Sequence, residues 1–354
     1  MIATSEIPRT TITMHQVGSF PAATVEEGLQ RTLNRQTRTV LDSATDCETG
    51  SRANWVVDLI DSYRRNPAFE LVEDGDWSGY DHCPRFKVAE GHTLVPDDFA
   101  LPYHQFALDS WPAFDAARQR IGRPDLLMQV GSPSGLDLSL FTLGEQQGFD
   151  EEHVDAATQA VADQITAVHN EPFGDQVVYQ LETPASLSLA LAVEDPAFRQ
   201  GLSSRLLDLV SRCPEGAQFG IHLCVGDLGN EARMQPPNRK ASVELMNAIG
   251  SDPRWEGRKL RYIHEPIAAG HDVPTLESSM YEDLQDLRLP PGVRYIAGML
   301  HERQSLRRQR KVLELVKENL PQGQALGIAA ACGLGRRSRN AAKRIRNRGV
   351  LLAS

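Results

Sequence analysis

Residues 218–227 read QFGIHLCVGD. The first part, Gln218–Cys224, is short and apolar, as a strand covered on both faces is. It ends on two metal-capable side chains, His222 and Cys224, two positions apart. Alternate residues of a strand point to the same side, so both side chains can reach one point. Outward from here, strand-like and helix-like stretches alternate over almost the whole chain. Seven more strands are predicted: Ile12–Ser19, Phe69–Gly75, Leu126–Gly131, Gln176–Leu181, Leu260–Glu265, Arg294–Leu300 and Ala325–Ala331. Amphipathic helices are predicted between most of them, at Val25–Tyr63, Glu151–Asn170, Asp195–Cys213, Lys240–Ile249, Met280–Leu287 and Gln304–Glu318. Eight such alternations are the pattern of a closed (β/α)8 barrel, the TIM barrel. An open doubly wound sheet would carry a glycine-rich phosphate loop after its first strand, and GSFP at 18–21 is not one.

The chain of 354 residues, 41% of them hydrophobic, fits one such barrel over 1–354. The stretch 80–124 is the least regular part and reads as an insertion near the barrel mouth, with KVAEGHTLV at 87–95 as an extra hairpin. Residues 226–239, GDLGNEARMQPPNR, form a long polar loop of the kind that often serves as a lid. The basic run GRRSRNAAKRIRNRG at 335–349 reads as a solvated final helix, or else as a contact for a polyanionic substrate tail.

A formal net charge of −10 argues against general nucleic-acid binding. No apolar stretch is long enough to span a bilayer as a helix, and MIATSEIPRTTIT at the N-terminus has no apolar leader core, so the expected location is the cytoplasm. Five cysteines, an odd number, argue against a disulfide framework.

In a (β/α)8 barrel the chemistry sits where strands end. The predicted ends carry Ser19, Asp74, Asp76, Ser132, Glu182, His222, Cys224, Glu265, His301 and Cys332. His222, Cys224 and Cys332, with Glu265 as fourth ligand, offer the sulfur, nitrogen and oxygen donors that suit Zn(2+). His264 and Glu265 are neighbours, so only one faces the site. The expectation is that Glu265 does and that His264 packs outward against a helix. Two thiolates and a carboxylate offset the charge of the metal. Such a zinc favours binding an incoming thiol as its thiolate, the reactive nucleophile, and the implied chemistry is alkyl transfer to sulfur.

These motifs resemble the C-terminal catalytic barrel of cobalamin-independent methionine synthase, from His15 to about Arg337, in a single-barrel form. VGSFP at 17–21, DGDW at 74–77, QLETP at 180–184, HLCVGD at 222–227, HEP at 264–266 and ACGLGRR at 331–337 are similar to family motifs in the same order. The resemblance implies a zinc-dependent methyltransferase that converts homocysteine to methionine with a methyltetrahydrofolate as donor. It implies that the backbone around Gly18 and Ser19 holds the acceptor's carboxylate and that Asp76 and Glu182 lie at its amino-acid part. It also implies a histidine after the seventh strand as general acid, for which His301 is the candidate.

After the third strand the family carries a tryptophan that stacks on the pterin. GSPSGLDLSLFTLG at 131–144 has none, and Phe141 is the aromatic nearest to hand. The donor therefore stays open between a folate, a methyl-corrinoid and another activated alkyl compound. Transfer of a thiol to an epoxide, demethylation of a small metabolite, and a non-catalytic zinc-binding partner subunit are the other readings. A porphyrinogen decarboxylase shares the barrel but has no need of this Cys/His set.

Overall fold

The computed structural model describes residues 11–354. The polar N-terminal residues 1–10, read above as lacking a leader core, lie outside them. Ten strands occur in chain order among the described residues: β1 (Thr13–Met14), β2 (Ser43–Thr45), β3 (Phe69–Glu73), β4 (Arg85–Val88), β5 (Leu127–Pro133), β6 (Val177–Glu182), β7 (Gln218–His222), β8 (Lys259–Pro266), β9 (Arg294–Leu300) and β10 (Leu326–Ala330). Eight of them form one curled sheet in the order β1-β10-β9-β8-β7-β6-β5-β2. Every neighbouring pair in this sheet is parallel.

The two edge strands meet without a regular ladder. Met14 N donates to Val40 O at 2.7 Å and Phe20 N to Cys47 O at 2.8 Å. Thr45 Oγ1 donates to Gly18 O at 3.0 Å. These bonds bring β1 and β2 together and give the sheet the form of a (β/α)8 barrel. Inside it Val17, Val178, Tyr262, Ile296 and Ala329 form a separate small core. A polar layer adjoins it. The Tyr262 hydroxyl lies 3.0 Å from both Gln129 Oε1 and Gln180 Oε1, with one proton to share between them, and His15 Nε2 lies 3.1 Å from Gln180 Oε1.

The helices cover the outside. They are α1 (Val25–Thr32), α2 (Trp55–Ser62), α3 (Tyr103–Arg120), α4 (Gly135–Gln147), α5 (Glu151–His169), α6 (Pro184–Ala192), α7 (Pro196–Arg212), α8 (Lys240–Gly250), α9 (Leu306–Asn319) and α10 (Arg339–Ala353). Their buried residues recur at helical spacing, as in α5 with Val154, Ala157, Val161, Ile165 and Val168. Serine caps start several of them. Ser305 accepts from Arg308 N at the head of α9, and Ser338 from Ala341 N at the head of α10.

The second barrel strand differs from the sequence expectation. It is the three-residue β2 inside the stretch read as one long helix. The predicted strand Phe69–Gly75 is instead one leg of an antiparallel hairpin, β3 with β4. Four of the five β3 residues are exposed, which a strand of a helix-covered barrel cannot be. The stretch 80–124 holds β4, a 3-10 turn at Pro96–Phe99, and the 18-residue α3. The hairpin leans on α4, where Val88 N donates to Gln147 Oε1 at 3.1 Å. In the connection between β3 and β4, the Tyr80 hydroxyl donates to Glu231 O at 2.8 Å and accepts from Leu228 N at 2.9 Å, tying this region to the loop after β7. The basic C-terminal run is in part an anchor: Arg348 reaches the carbonyls of His301 and Glu302, each at 2.8 Å.

Candidate metal centre

Strand β7 delivers His222 at its last position, and Cys224 follows two residues later. Cys332 follows β10. The potential ligand atoms of His222, Cys224 and Cys332 all lie within 4.8 Å of one another. Among the described residues they are the one group of three or more side chains of metal-ligating type so arranged. The two Sγ atoms are 4.0 Å apart. Two sulfurs on one tetrahedral zinc stand about 3.8 Å apart, so the spacing fits that ion. His222 is fully buried, and its Nε2 has no hydrogen-bond partner. A buried nitrogen lone pair facing two thiols is costly unless something binds it. The donor set and its geometry therefore fit zinc.

The site also shapes its own charges. The hydrogen bond from Cys224 holds the Cys332 thiol well below its ordinary value; burial opposes this, and His222 and Arg336 add to it. The same bond and burial push Cys224 up. Arg336 Nη2 lies 3.4 Å from Cys332 Sγ and 2.7 Å from Asp227 Oδ2.

Glu265 is not part of the cluster. Strand β8 carries one extra residue, Arg261, opposite the step from Phe219 to Gly220 on β7. Tyr262 points into the barrel and so does His264, whose Nδ1 lies 2.7 Å from His222 Nδ1. Glu265 then faces outward. It accepts from the Tyr295 hydroxyl at 2.7 Å and lies 3.6 Å from Arg239 at the head of α8. The expected parity of this pair is thus reversed.

Asp76 is also elsewhere. It is exposed in the turn of the β3–β4 hairpin, where it accepts from Ser78 N at 3.0 Å. The acidic group at the end of the second barrel strand is Glu48, in the turn Asp46-Cys47-Glu48. Sequence reading missed it because β2 is three residues long and the turn bends at Cys47 and Glu48, with φ of 72° and 39°. Asp46 holds the turn by accepting from Glu48 N at 3.0 Å and pairing with Arg52 at 2.7 Å.

Gly18 and Ser19 line one cavity with Cys332, and Glu182 lies beside Glu48. A Cβ on Gly18 would come 2.8 Å from Glu48 Oε2. Ser19 Oγ accepts from Gly335 N at 3.1 Å, and Ser19 O from Leu334 N at 2.6 Å, which braces the loop behind Cys332. Glu182 accepts from Gln180 Nε2 at 3.2 Å and from Trp55 Nε1 at 3.3 Å. Trp55 is a second residue that sequence reading did not single out. Burial raises both Glu48 and Glu182; the Glu182 carboxylate raises Glu48 further, the nearby Cys332 raises both, and His222 holds Glu182 down in part. His301 is fully buried with both ring nitrogens on the backbone: Nε2 is 3.1 Å from Gly270 O, and Nδ1 accepts from Arg303 N at 3.1 Å. Neither nitrogen is turned to the cluster.

No protein-family model and no curated protein matches the chain. Solved structures do. A B12-independent methionine synthase of a Shewanella species, in complex with selenomethionine, has a TM-score of 0.56 at 11% identity, over 98% of this chain and 96% of that one. A Listeria monocytogenes protein assigned as a vitamin-B12-independent methionine synthase has a TM-score of 0.56 at 13% identity, over 97% and 98%. A methyltransferase from Methanosarcina mazei has a TM-score of 0.53 at 13% identity, over 99% and 94%. At such identities the likeness is one of fold, and it extends over nearly the whole chain. No helix among the described residues is long and apolar enough to cross a membrane.

Proposed function

We propose that the protein is a zinc-dependent methyltransferase whose acceptor is the thiol of a small amino acid, homocysteine in the first instance. The observation that carries this reading is the buried, unpartnered Nε2 of His222 facing two thiols 4.0 Å apart. Three protein ligands leave a position for substrate, the arrangement of catalytic rather than structural zinc. Zinc held by His222, Cys224 and Cys332 would supply a Lewis-acid position that keeps an incoming thiol ionised near neutral pH.

Glu48 and Glu182 favour an amino acid over other thiols. Two carboxylates buried side by side require a cation or a proton between them. The ammonium group of an amino-acid acceptor provides the cation; with a thiol that lacks one, the pair would hold a proton instead. In the bound complex both carboxylates are ionised and orient the acceptor. Gly18 and Ser19, beside them, are the segment proposed to meet its carboxylate. Arg336 offsets the negative charge of the thiolate ligands. The donor proposed is a methyltetrahydrofolate. The solved structures of similar fold include B12-independent methionine synthases, which supports the same chemistry.

Purified protein is expected to carry about one zinc per chain. It is expected to methylate homocysteine from methyltetrahydrofolate, tested with and without a polyglutamate tail, beside methylcobalamin. Cys332→Ser is expected to lose both metal and activity. Full activity in a metal-free preparation overturns the reading.

A further inference from the structure

Against His222 lies another buried imidazole, His264, that this reading does not use. Its Nε2 lies 3.0 Å from the carbonyl oxygen of Ala330. A carbonyl only accepts, so Nε2 carries the proton. A neutral imidazole has one proton, which leaves Nδ1 of His264 as a bare acceptor. That nitrogen lies 2.7 Å from Nδ1 of His222. The proton between them therefore belongs to His222. With Nδ1 of His222 protonated and the ring neutral, as a metal-binding imidazole is, its Nε2 has a free lone pair, and this atom makes no hydrogen bond of ordinary geometry beside the thiols.

The neutral state of His264 follows from its surroundings. It is fully buried, and the groups around it are His222, His15 at 6.0 Å between ring centroids, and the Ala330 carbonyl, none of them an anion. The seat for the ring is built into the sheet. A Cβ on Gly298 of β9 would fall 2.7 Å from His264 Nε2, so β9 has a glycine where the ring must pass. Ala330 stands two residues before Cys332 on the chain that supplies that ligand.

We infer that His264 is a positioning residue that fixes the tautomer of His222, so that Nε2 presents its lone pair to the metal, and that it joins the His222 strand to the Cys332 strand. The inference rests on the zinc reading of the site. It assigns His264 no contact with substrate. Hydrogen-bonded partners of this kind orient metal-ligating histidines in general, and their loss weakens metal binding by about 10–100-fold.

Three proteins decide it: wild type, His264→Leu and His264→Gln. The glutamine can still accept from His222 with its oxygen and donate to Ala330 O with its nitrogen. Zinc affinity is measured by competition with a chromophoric chelator. His264→Leu is expected to bind zinc about 10–100-fold more weakly, and His264→Gln within a few-fold of wild type. X-ray absorption of the zinc-loaded wild type is expected to show one imidazole and two sulfurs. Nitrogen NMR of metal-free wild type, recorded at a pH where the His222 ring is neutral, is expected to show its proton on Nδ1.

Unchanged affinity in His264→Leu overturns the inference. So does a second imidazole on the zinc, which would make His264 a ligand, or a His222 proton on Nε2. If His264→Leu does not fold, the His264→Gln affinity and the NMR assignment decide. If wild type binds no zinc, the proposed function fails, and the NMR measurement still tests the tautomer separately.

Discussion

Glu48 and Glu182 converge on one glycine. A Cβ at Gly131 of β5 would meet Glu48 Oε1 at 3.0 Å and Glu182 Oε1 at 3.2 Å. The two carboxylates come from opposite sides of that strand, from the turn after β2 and from the end of β6. Burial favours their neutral forms, and a bound ammonium group reverses that preference. Glu48→Gln and Glu182→Gln should each weaken binding of an amino-acid thiol by about 2 kcal/mol, the cost of losing a charge-assisted bond. Zinc content should not change. Calorimetric titration of homocysteine into zinc-loaded protein reads the loss. An unchanged affinity in both variants would remove the ammonium subsite from the proposal.

The two cluster cysteines should be unequal in metal-free protein. Cys224 donates to Cys332 and, with His222 and Arg336, keeps the Cys332 thiol well below its ordinary value, while Cys224 is pushed up. The pair then releases its protons in two separate steps. One equivalent of iodoacetamide should react at a pH where ordinary thiols are inert, and peptide mapping should find it on Cys332. Arg336→Gln removes a positive charge 3.4 Å from that sulfur, so the midpoint of its pH–rate curve should rise. Equal labelling of Cys224 and Cys332 at acidic pH would contradict this account.

The barrel was legible because buried parallel strands announce themselves as apolar runs, and those around Val130, Val178, Ile221, Ile263 and Ile296 do so. His222 and Cys224 were legible because a strand's period of two puts them on one side. The strand Ser43–Thr45 was not. Three small or polar residues have no period, and Phe69–Glu73 nearby made a stronger apolar signal from a surface hairpin. Losing that strand lost Glu48 as well and put Asp76 in its place. Glu265 failed for a different reason. Parity within His264-Glu265 depends on which residue of β8 first faces the lumen. The extra residue Arg261 and the inward Tyr262 decide that, and neither marks itself in the sequence.

The outward placement of Glu265 has its own consequence. Glu265 accepts from the Tyr295 hydroxyl at 2.7 Å, 3.6 Å from the buried Arg239, whose Nη1 donates to Pro266 O at 2.7 Å. Glu265→Ala leaves a buried guanidinium without its anion. It should lower stability by about 3 kcal/mol and leave the zinc content at that of wild type. Denaturant unfolding and metal analysis on the same preparation separate the two effects. A variant that folds normally and loses its zinc would place Glu265 back among the ligands.

Acid should loosen the barrel through His15. Burial lowers His15 from 6.5 to about 3; its bond to Gln180 opposes the shift only in part, and His222 adds to it. Between those two values the unfolded chain binds a proton at this position and the folded chain does not. The contribution of His15 to stability is thus fully present above pH 6.5 and is lost as the pH falls toward 3. Its slope is about 1.4 kcal/mol per pH unit well inside that window. His264 is shifted in the same direction by burial and by the two neighbouring histidines, and adds to the slope. Urea unfolding of chelator-treated protein at pH 7, 6 and 5 measures it without interference from metal release. His15→Gln keeps a polar group beside Gln180 but cannot take up a proton. Its stability at pH 7 should be at or below that of wild type, while its decline between pH 6 and 5 should be shallower by about 1 kcal/mol. A decline as steep as that of wild type would mean that His15 is protonated in the folded protein and that the interior of the barrel admits water to it.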